Sequence, residues 1–446
     1  MHGFKIGFLA VALSGSPVLA QTSNATSLTA AGTTMFKGGP ALTGVSTGSV
    51  PRAFEGIRFI VRTGGPIRST PLLYRSGVYF GSSDGFLYAV DAHDGHPLWT
   101  LHASGPVASS PAARGDLIYF VARPNTLYAV TADRGEIRWQ QDLGADKGPS
   151  NYWDFFESSP TLVDDRLFVG SGDGRLYCID AASGRRIWSF DAGARIRSTP
   201  AVVDNTVVVG AMNGRIYAVD AATGKEKWSY ATRGASHKFA DKNNDTTSIV
   251  ASPTIAGGLV AIGGRDGYLY AVDLQTGKLR WDITHDGSSW ILSTASQQGS
   301  LFIGSGSAFL LQAVDLSTGK ESWRFKTHSA VFSSPVIAGN VIVFSDLSGL
   351  VYAVDTMSGK ELWSFNLPDR ALSSPVVGDH TVYVASDDGK LLALDTGTTA
   401  HDAAVRRLVY WQGPLSAESF SWFPKGIDEA IRDAFVRSGF ERIDRA

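Results

Sequence analysis

The chain is organised by an internal repeat with a step of mostly 40 residues. The repeat is anchored by the pattern Ser/Ala-Ser/Thr-Pro, whose prolines are Pro71, Pro111, Pro160, Pro200, Pro253, Pro335 and Pro375. Ala295 stands where an eighth proline would fall, and the step lengthens to 49 residues before Pro160 and to 53 before Pro253. A period this regular predicts eight similar units that stack on one another and bury a continuous core.

Each unit contains four short runs that are typical of strands. In STPAVVDNTVVVGAMNGRIYAVDAATGKEKWSY (198–230), three β-branched or aromatic runs are separated by turn residues, and a fourth run begins at Trp228. Asp-Gly or Asn-Gly follows the second run in five units, and these dipeptides accept the positive φ angles of tight hairpins. The repeat units show no helical periodicity of apolar residues. The sequence therefore predicts an all-β fold, an eight-bladed β-propeller of four-stranded antiparallel blades.

The phrase IYAVDAATGKEKW (216–228) recurs with small changes and predicts how the blades are joined. Asp220 can accept hydrogen bonds from the turn that follows it, and Gly224 gives that turn its backbone freedom. Ala218 leaves room for a large ring. Trp228 is expected to bury its indole between neighbouring blades while its N–H reaches a backbone acceptor. The tryptophans in this structural docking position are Trp99, Trp139, Trp188, Trp228, Trp281, Trp323 and Trp363.

The pattern A-x-D-x-x-T-G-K-x-x-W resembles the tryptophan-docking motif of the PQQ-type β-propeller repeat. The resemblance covers residues 54 to 396, nearly the whole chain that would follow a leader. Members of that family are eight-bladed propellers, which agrees with the repeat count. They include the quinoprotein alcohol dehydrogenases and BamB, the propeller lipoprotein of the outer-membrane barrel-assembly machinery. WD40 propellers match less well, because their Trp-Asp pair and Gly-His signature are missing here.

The segment GIRFIVRT (56–63) predicts how the ring of blades closes. Phe59 stands ten residues before Ser69, the same spacing that separates Trp188 from Ser198. The segment is therefore predicted to be an outermost strand that completes the eighth blade and removes open sheet edges. The alternative is that RRLVYW (406–411) fills this place.

Both ends of the chain fall outside the repeat. Residues 1–20 combine a weakly positive start, a short apolar run and small residues, which predicts a cleavable signal peptide and not a membrane span. Residues 21–53 are predicted to be an N-terminal linker, and residues 54–396 are the propeller. Residues 397–446 predict a small α/β appendage of strand, helix and strand, with the helix at 426–439.

The amino-acid composition indicates where the protein is located and which kinds of partner it can bind. Cys178 is the only cysteine, so no lipid-accepting cysteine follows the apolar run, and no internal disulfide can form. We therefore expect a periplasmic or secreted protein without a stable membrane anchor. The net charge of −2 and the lack of a basic face argue against nucleic acid. A monomer with an envelope or secreted protein partner is expected.

Three connections between an outermost strand and the next innermost strand are longer than the rest. They span residues 144–157, 233–248 and 284–292. Because all three join the same strand positions, they are predicted to project from one face of the disc, around the mouth of the central channel. Insertions at such a face usually carry function.

The ligand-binding candidates of this face come from the long connections and from the residues just before the innermost strands. Trp153 and Trp290 lie outside the docking positions, so blade packing does not explain them. Arg68 and Arg197 occupy equivalent places and can direct positive charge toward an anionic group such as a carboxylate; the alternative is that they form a solvated rim. The full set is Trp153, Asp154, Glu157, Arg68, Arg197, His237, His285 and Trp290.

The stretch DKNND gives a weak metal pattern. Asp241, Asn243 and Asp245 alternate as at the start of a calcium loop, but the glycine and the distal glutamate of an EF-hand are lacking. A solvated polar loop is the favoured interpretation. His237 and His285 have no second histidine or cysteine at metal spacing, so each is interpreted as a hydrogen-bonding histidine.

Several functions remain open, and no catalytic residue is assigned. The favoured one is an exported, non-catalytic scaffold or protein-interaction module of the cell envelope, similar to BamB, with no cofactor. The alternatives are a small-molecule-binding propeller and, from the resemblance, a PQQ- and calcium-dependent oxidoreductase of the alcohol dehydrogenase type. In that last case the resemblance implies stacking by Trp153 or Trp290, carboxylate binding by Arg68 and Arg197, and calcium binding by Asp154 and Glu157. The vicinal disulfide of many alcohol-oxidising members cannot form here.

Overall fold

The computed structural model describes residues 34–50, 52–146, 157–236, 245–284 and 291–396. These residues form eight sheets, seven of four strands and one that carries a fifth, two-residue strand. The predicted eight-bladed β-propeller is therefore confirmed. The predicted signal peptide and C-terminal appendage lie outside the described residues. Within the described part the helical elements are two short 3-10 helices, Phe36–Gly38 and Arg233–Ser236, and no helix is long and apolar enough to cross a membrane.

Two strands precede the first blade. Strand β1 (Val45–Ser46) pairs in parallel with the innermost strand of blade 7. Strand β2 (Gly56–Arg62) pairs with the last described strand, in blade 8.

The first four blades follow in chain order, each from the channel to the rim. Blade 1 has β3 (Leu72–Tyr74), β4 (Gly77–Gly81), β5 (Phe86–Asp91) and β6 (Pro97–His102). Blade 2 has β7 (Ala112–Arg114), β8 (Leu117–Ala122), β9 (Thr126–Thr131) and β10 (Ile137–Asp142). Blade 3 has β11 (Thr161–Val163), β12 (Arg166–Gly170), β13 (Arg175–Asp180) and β14 (Arg186–Asp191). Blade 4 has β15 (Ala201–Val203), β16 (Thr206–Gly210), β17 (Arg215–Asp220) and β18 (Glu226–Ala231).

The remaining blades repeat the same order. Blade 5 has β19 (Thr254–Ala256), β20 (Leu259–Gly263), β21 (Tyr268–Asp273) and β22 (Leu279–Thr284). Blade 6 has β23 (Ile291–Gln297), β24 (Ser300–Ser305), β25 (Leu310–Asp315) and β26 (Glu321–Lys326). Blade 7 has β27 (Val336–Ala338), β28 (Val341–Ser345), β29 (Leu350–Asp355) and β30 (Glu361–Asn366). Blade 8 has β31 (Val376–Val377), β32 (Thr381–Ala385), β33 (Lys390–Asp395) and then β2.

The core lies between adjacent blades. Strand β16 is buried along its whole length, whereas β14 on the rim alternates between partly buried and exposed residues. The reason is that the inner strands are covered on both faces by neighbouring blades, while each outermost strand meets solvent. Apolar side chains of blades 1 and 2, such as Leu87 and Phe120, form one shared cluster. No blade can bury its faces alone, so stability depends on the complete ring.

The tryptophan of an outermost strand joins its blade to the next blade. Trp188 Nε1 donates a hydrogen bond to the carbonyl oxygen of Ala221 at 3.1 Å. A Cβ on Gly224 would lie 2.7 Å from the Trp188 ring, so the indole packs directly on this glycine. Gly224 has a φ of +73°, and it therefore needs both the freedom and the small size of glycine. The same N–H to carbonyl bond is made by Trp99, Trp139, Trp228, Trp281 and Trp323.

The ring is closed by the N-terminal strand β2, as the spacing of Phe59 predicts. Phe59 lies opposite Ala393 in the antiparallel pairing of β2 with β33. Its ring is fully buried, and a Cβ on Gly95 of blade 1 would come within 2.4 Å of it. Phe59 thus packs on blade 1 as each tryptophan packs on the following blade. The eighth blade combines strands from both ends of the propeller, which removes the open edges.

Residues 34–49, here called the floor segment, lie across the central channel. They fall within the predicted N-terminal linker. Their backbone carbonyls accept hydrogen bonds from amides of innermost strands in five blades, at 2.7 to 2.9 Å. Ser49 O also accepts from His380 N in blade 8. The donors of the five bonds are the amides of Ala113, Val202, Ile255, Ser296 and Ile337. Innermost strands otherwise present unpaired amides to the channel, and the floor segment satisfies them.

We predict that the docking glycines tolerate substitution less well than other glycines with the same backbone angle. Gly258 has a φ of +74° but no atom within 4 Å of its Cβ position. Gly258→Ala should cost about 1–2 kcal/mol, because of the left-handed backbone alone. Gly224→Ala should cost about 1–3 kcal/mol more, because its Cβ must displace the Trp188 indole. Urea denaturation of both variants measures the difference, and equal costs would contradict the packing of the indole on Gly224.

Candidate functional site

The channel contains a cavity of about 690 Å³, a volume that includes space open to solvent. Phe36 of the floor segment lines it below, and its walls are residues that precede the innermost strands. The described residues that connect an outermost strand to the next innermost strand lie at this end, here called the mouth. The short turns between second and third strands lie at the same end, since Ser83 N in blade 1 bonds Pro66 O.

The wall of the channel cavity has a charged half and an apolar half. The position three residues before each aligned proline faces the cavity. Blades 1, 3 and 4 place Arg68, Glu157 and Arg197 there. Blades 5, 7 and 8 place Val250, Phe332 and Leu372, which are nearly buried and pack together. Ala108 of blade 2 lies in the charged half. The cavity is therefore amphipathic around its circumference.

Below this wall, the residue before each proline forms a belt of hydroxyl groups. The amide N–H of one belt residue donates to the hydroxyl of the belt residue in the next blade, for example Ser110 N to Ser159 Oγ at 2.8 Å. The other steps run from Thr70 to Ser110, Ser159 to Thr199, Thr199 to Ser252, Ser334 to Ser374 and Ser374 to Thr70. In the described residues the belt is interrupted at blade 6, the blade that has Ala295 in place of proline. These bonds tie successive blades together around the channel.

The first serine of the Ser-Ser/Thr-Pro pattern acts inside its own blade. Ser198 Oγ donates to Gly210 O at 2.9 Å and accepts from Gly210 N at 3.0 Å. Ser109 makes the same pair of bonds with Val121. The two hydroxyl residues before the proline thus have different structural tasks, one within the blade and one between blades. This explains why the pattern recurs so strictly.

Two aspartates hold the arginines of the charged half. Asp387, from blade 8, has a fully buried side chain that accepts from Arg68 Nε and Nη2 at 3.2 Å and lies 3.3 Å from Arg370. Asp146 accepts from Arg197 at 2.9 and 3.2 Å. Planar guanidinium groups bound in this two-bonded way are fixed in orientation. The two arginines predicted to bind an anionic group are therefore oriented by aspartates of the protein itself.

Glu157 is the carboxylic acid among the described residues that line the channel cavity. Its Oε1 accepts from Arg123 Nε at 2.5 Å, and its side chain is 6% exposed. Its Oε2 has no hydrogen-bond partner among the described residues. Burial raises the pKa of Glu157 to about 7, although Arg123 and Arg197 act in the opposite direction. Glu157 therefore changes charge near neutral pH, and its second oxygen is buried beside the cavity without a partner among the described residues.

The Asp245 carboxylate is fully engaged by neighbouring groups of the protein. Its Oδ2 accepts from Arg265 Nη1 at 2.8 Å, and both side chains are buried, at 1% and 0% exposure. Its Oδ1 accepts from the backbone amides of Thr247 and Ser248. The carboxylate thus fixes the end of the connection into blade 5. The metal interpretation of this residue stays a prediction, since Asp241 and Asn243 lie outside the described residues.

The structure places part of the predicted site. Arg68, Glu157 and Arg197 come together in one cavity. Trp153, Asp154, His237, His285 and Trp290 lie outside the described residues, as do Asp241 and Asn243. Sequence reasoning missed Asp146 and Asp387, and it missed the apolar half of the wall. The apolar residues could have been found by reading the position three residues before every aligned proline.

Comparison with known proteins identifies the family to which the chain belongs. The chain is a PQQ-like β-propeller, and the family model described as outer membrane protein assembly factor BamB matches residues 54–163, 153–310 and 307–412. The chain therefore belongs to this family. No match was found among curated proteins.

Solved structures share the fold at low sequence identity. BamB from Moraxella catarrhalis is 18% identical, with a TM-score of 0.58, over 77% of this chain and 98% of that chain. The quinohemoprotein alcohol dehydrogenase from Comamonas testosteroni is 14% identical, with a TM-score of 0.67, over 84% of this chain and 82% of that chain. The quinohemoprotein alcohol dehydrogenase ADHIIG from Pseudomonas putida HK5 is 13% identical, with a TM-score of 0.68, over 92% of this chain and 85% of that chain. The fold is thus shared by an assembly factor and by dehydrogenases.

The described residues do not fit the PQQ and calcium of the dehydrogenases. Such a site needs basic groups for the cofactor carboxylates and a cluster of carboxylates for the ion. At the mouth Arg68 and Arg197 are bound by aspartates. In the described part of the chain, the one group of three potential metal ligands is Asp91, Asp94 and His96. It lies in the turn between β5 and β6, at the end of the blade opposite the mouth. We derive no step through the cofactor.

The buried pair of Asp245 and Arg265 gives a stability prediction. Asp245→Ala removes the carboxylate that faces a fully buried guanidinium, and it should cost about 3–5 kcal/mol in the free energy of unfolding. Asp116→Ala is the matched control, because the pair of Asp116 with Arg75 is largely exposed and should contribute less than about 1 kcal/mol. Chemical denaturation measures both. A cost for Asp245→Ala no larger than that of the control would contradict the structural role.

Proposed function

We propose that this chain is an exported, non-catalytic propeller that acts as a scaffold or protein-interaction module of the cell envelope. The observation that carries the proposal is the internal pairing of charges at the mouth. Asp387 is held by two arginines, and Asp146 lies between two others. Groups engaged in this way fix the described residues that surround the mouth. Acid–base or metal chemistry instead requires such groups to be directed at a substrate.

The composition of the mouth also supports a protein partner. The apolar half of the channel wall lies beside the paired charges. Phe309, in the turn between β24 and β25 of blade 6, is 45% exposed at the same end of the blade. Aromatic and arginine side chains around an apolar centre are typical of protein interfaces. The rigid ring would present this surface without an ordering cost.

Family membership agrees with this proposal. The matching family model carries the description of an outer membrane protein assembly factor. The solved BamB structure is covered over 98% of its length. An assembly factor works through contacts with other proteins. The predicted signal peptide would place the chain in the compartment where such contacts occur.

Site-specific photocrosslinking in the native host tests the proposal. A photoreactive residue at position 309 lies at the mouth, and one at position 357 lies in the turn between β29 and β30, at the opposite end of the blade. Met357 is 81% exposed, so it is the matched control for reactivity. We expect a discrete protein adduct from position 309 that is absent from position 357. An excess of the unlabelled protein should suppress the adduct.

Two results would contradict the proposal. One is an adduct pattern that is the same at both positions, which would indicate nonspecific contact. The other is saturable binding of PQQ with calcium to the purified protein, measured by calorimetry, together with dye-linked oxidation of an alcohol. That second result would assign the chain to the oxidoreductases of its fold.

A further inference from the structure

The hydroxyl belt presents hydrogen-bond donors to the channel cavity. Six belt hydroxyls accept a backbone N–H through their oxygen. A hydroxyl group also carries one proton to donate. Among the described residues no acceptor receives these six protons. The hydroxyls are those of Thr70, Ser110, Ser159, Thr199, Ser252 and Ser374, and all six residues line the cavity.

Donors exceed acceptors in the whole channel cavity. Arg68 and Arg197 line its charged half, where Asp387 and Asp146 hold them, so the donors offered to a ligand are the six belt hydroxyls. At the rim, Asp387 faces Arg68 and Arg370, and Asp146 faces two arginines, so each of these aspartates is engaged by guanidinium groups and is not an acceptor open to a ligand. Among the described residues, the buried carboxyl oxygen without a hydrogen-bond partner is Glu157 Oε2. A cavity with more hydrogen-bond donors than acceptors is complementary to a ligand group that supplies acceptors and negative charge.

The apolar half of the cavity wall determines the chemistry of the part of a ligand that would contact it. Val250, Phe332 and Leu372 each have under one tenth of their surface exposed and form one apolar cluster. They offer carbon surface directly above the belt. A ligand that filled the cavity would need an apolar body on this side to avoid leaving polar groups unpaired.

We propose that the channel cavity binds a monocarboxylate with an apolar body. The carboxylate lies at the belt and accepts from hydroxyls such as those of Ser159 and Thr199. The body packs on Val250, Phe332 and Leu372. This site goes beyond the scaffold function and does not depend on it, because the ligand is held by the inside of the ring.

Glu157 makes the binding depend on pH. It stands two residues before Ser159, and the charged groups that act on it are Arg123, Arg197 and Asp146. The pKa of Glu157 is raised to about 7 by burial. Below that pH its carboxyl is neutral and does not repel an anionic ligand. Above that pH it is ionised and repels the ligand, so affinity should fall as the pH rises through about 7.

Calorimetric titration of the purified protein with octanoate tests the proposal. We expect saturation at one equivalent near about pH 6 and roughly tenfold weaker binding near about pH 8. Octylammonium has the same apolar body with the opposite charge, and it should bind at least about tenfold more weakly near pH 6. Glu157→Gln keeps an acceptor for Arg123 but cannot ionise. This variant should therefore bind octanoate equally at both pH values.

A matched pair of variants tests the belt. Thr199→Ser keeps the hydroxyl and should bind octanoate like the original protein. Thr199→Val removes the hydroxyl and should weaken binding about tenfold, with folding verified by thermal unfolding. Octanoate that gives no heat at either pH overturns the proposal. So does octylammonium that binds as tightly as octanoate, or a Glu157→Gln variant that keeps the original pH dependence.

Discussion

The packing of an indole on a glycine of the next blade is the contact on which the rest of the structure depends. Trp188 against Gly224 combines a ring-to-backbone contact with a hydrogen bond to Ala221. Because each blade is open on both faces, the inner strands become core only when such contacts align neighbouring blades. Phe59 extends the series across the junction of the chain ends, where it packs on Gly95. The ring is therefore held by equivalent contacts on both sides of the closure.

Repetition leaves few positions free to carry a specific function. The phrase that ends in tryptophan and the pair of hydroxyl residues before each proline are both used for joining strands and blades. The position three residues before the proline is the one that differs from blade to blade in the channel, from Arg68 through Glu157 to Phe332. The scaffold and the ligand proposals both rest on this end of the disc. One uses its outer surface, and the other uses the space within it.

Much of the fold could be predicted from the sequence, because strand length, turn residues and the docking tryptophans recur in register. The site could be predicted only in part. Arg68 and its partner Asp387 are 319 residues apart, and Arg197 and Asp146 are 51 apart, so these pairings follow from the arrangement of blades around the ring and not from any local pattern. The sequence predicts only a linker where the floor segment lies. Its contacts are made by backbone carbonyls, which leave no mark on side-chain composition.

The account depends most directly on a channel that ends on the floor segment, so that the cavity opens at the mouth. Residue-resolved hydrogen exchange of the purified protein measures this. The amides of Val202, Ile255 and Ile337 donate to the floor segment, whereas no such carbonyl among the described residues reaches the equivalent amides of Leu73 and Leu162. We predict slow exchange for the first three amides and faster exchange for the other two. Equally fast exchange at all five would contradict the account, because the channel would then be open at both ends.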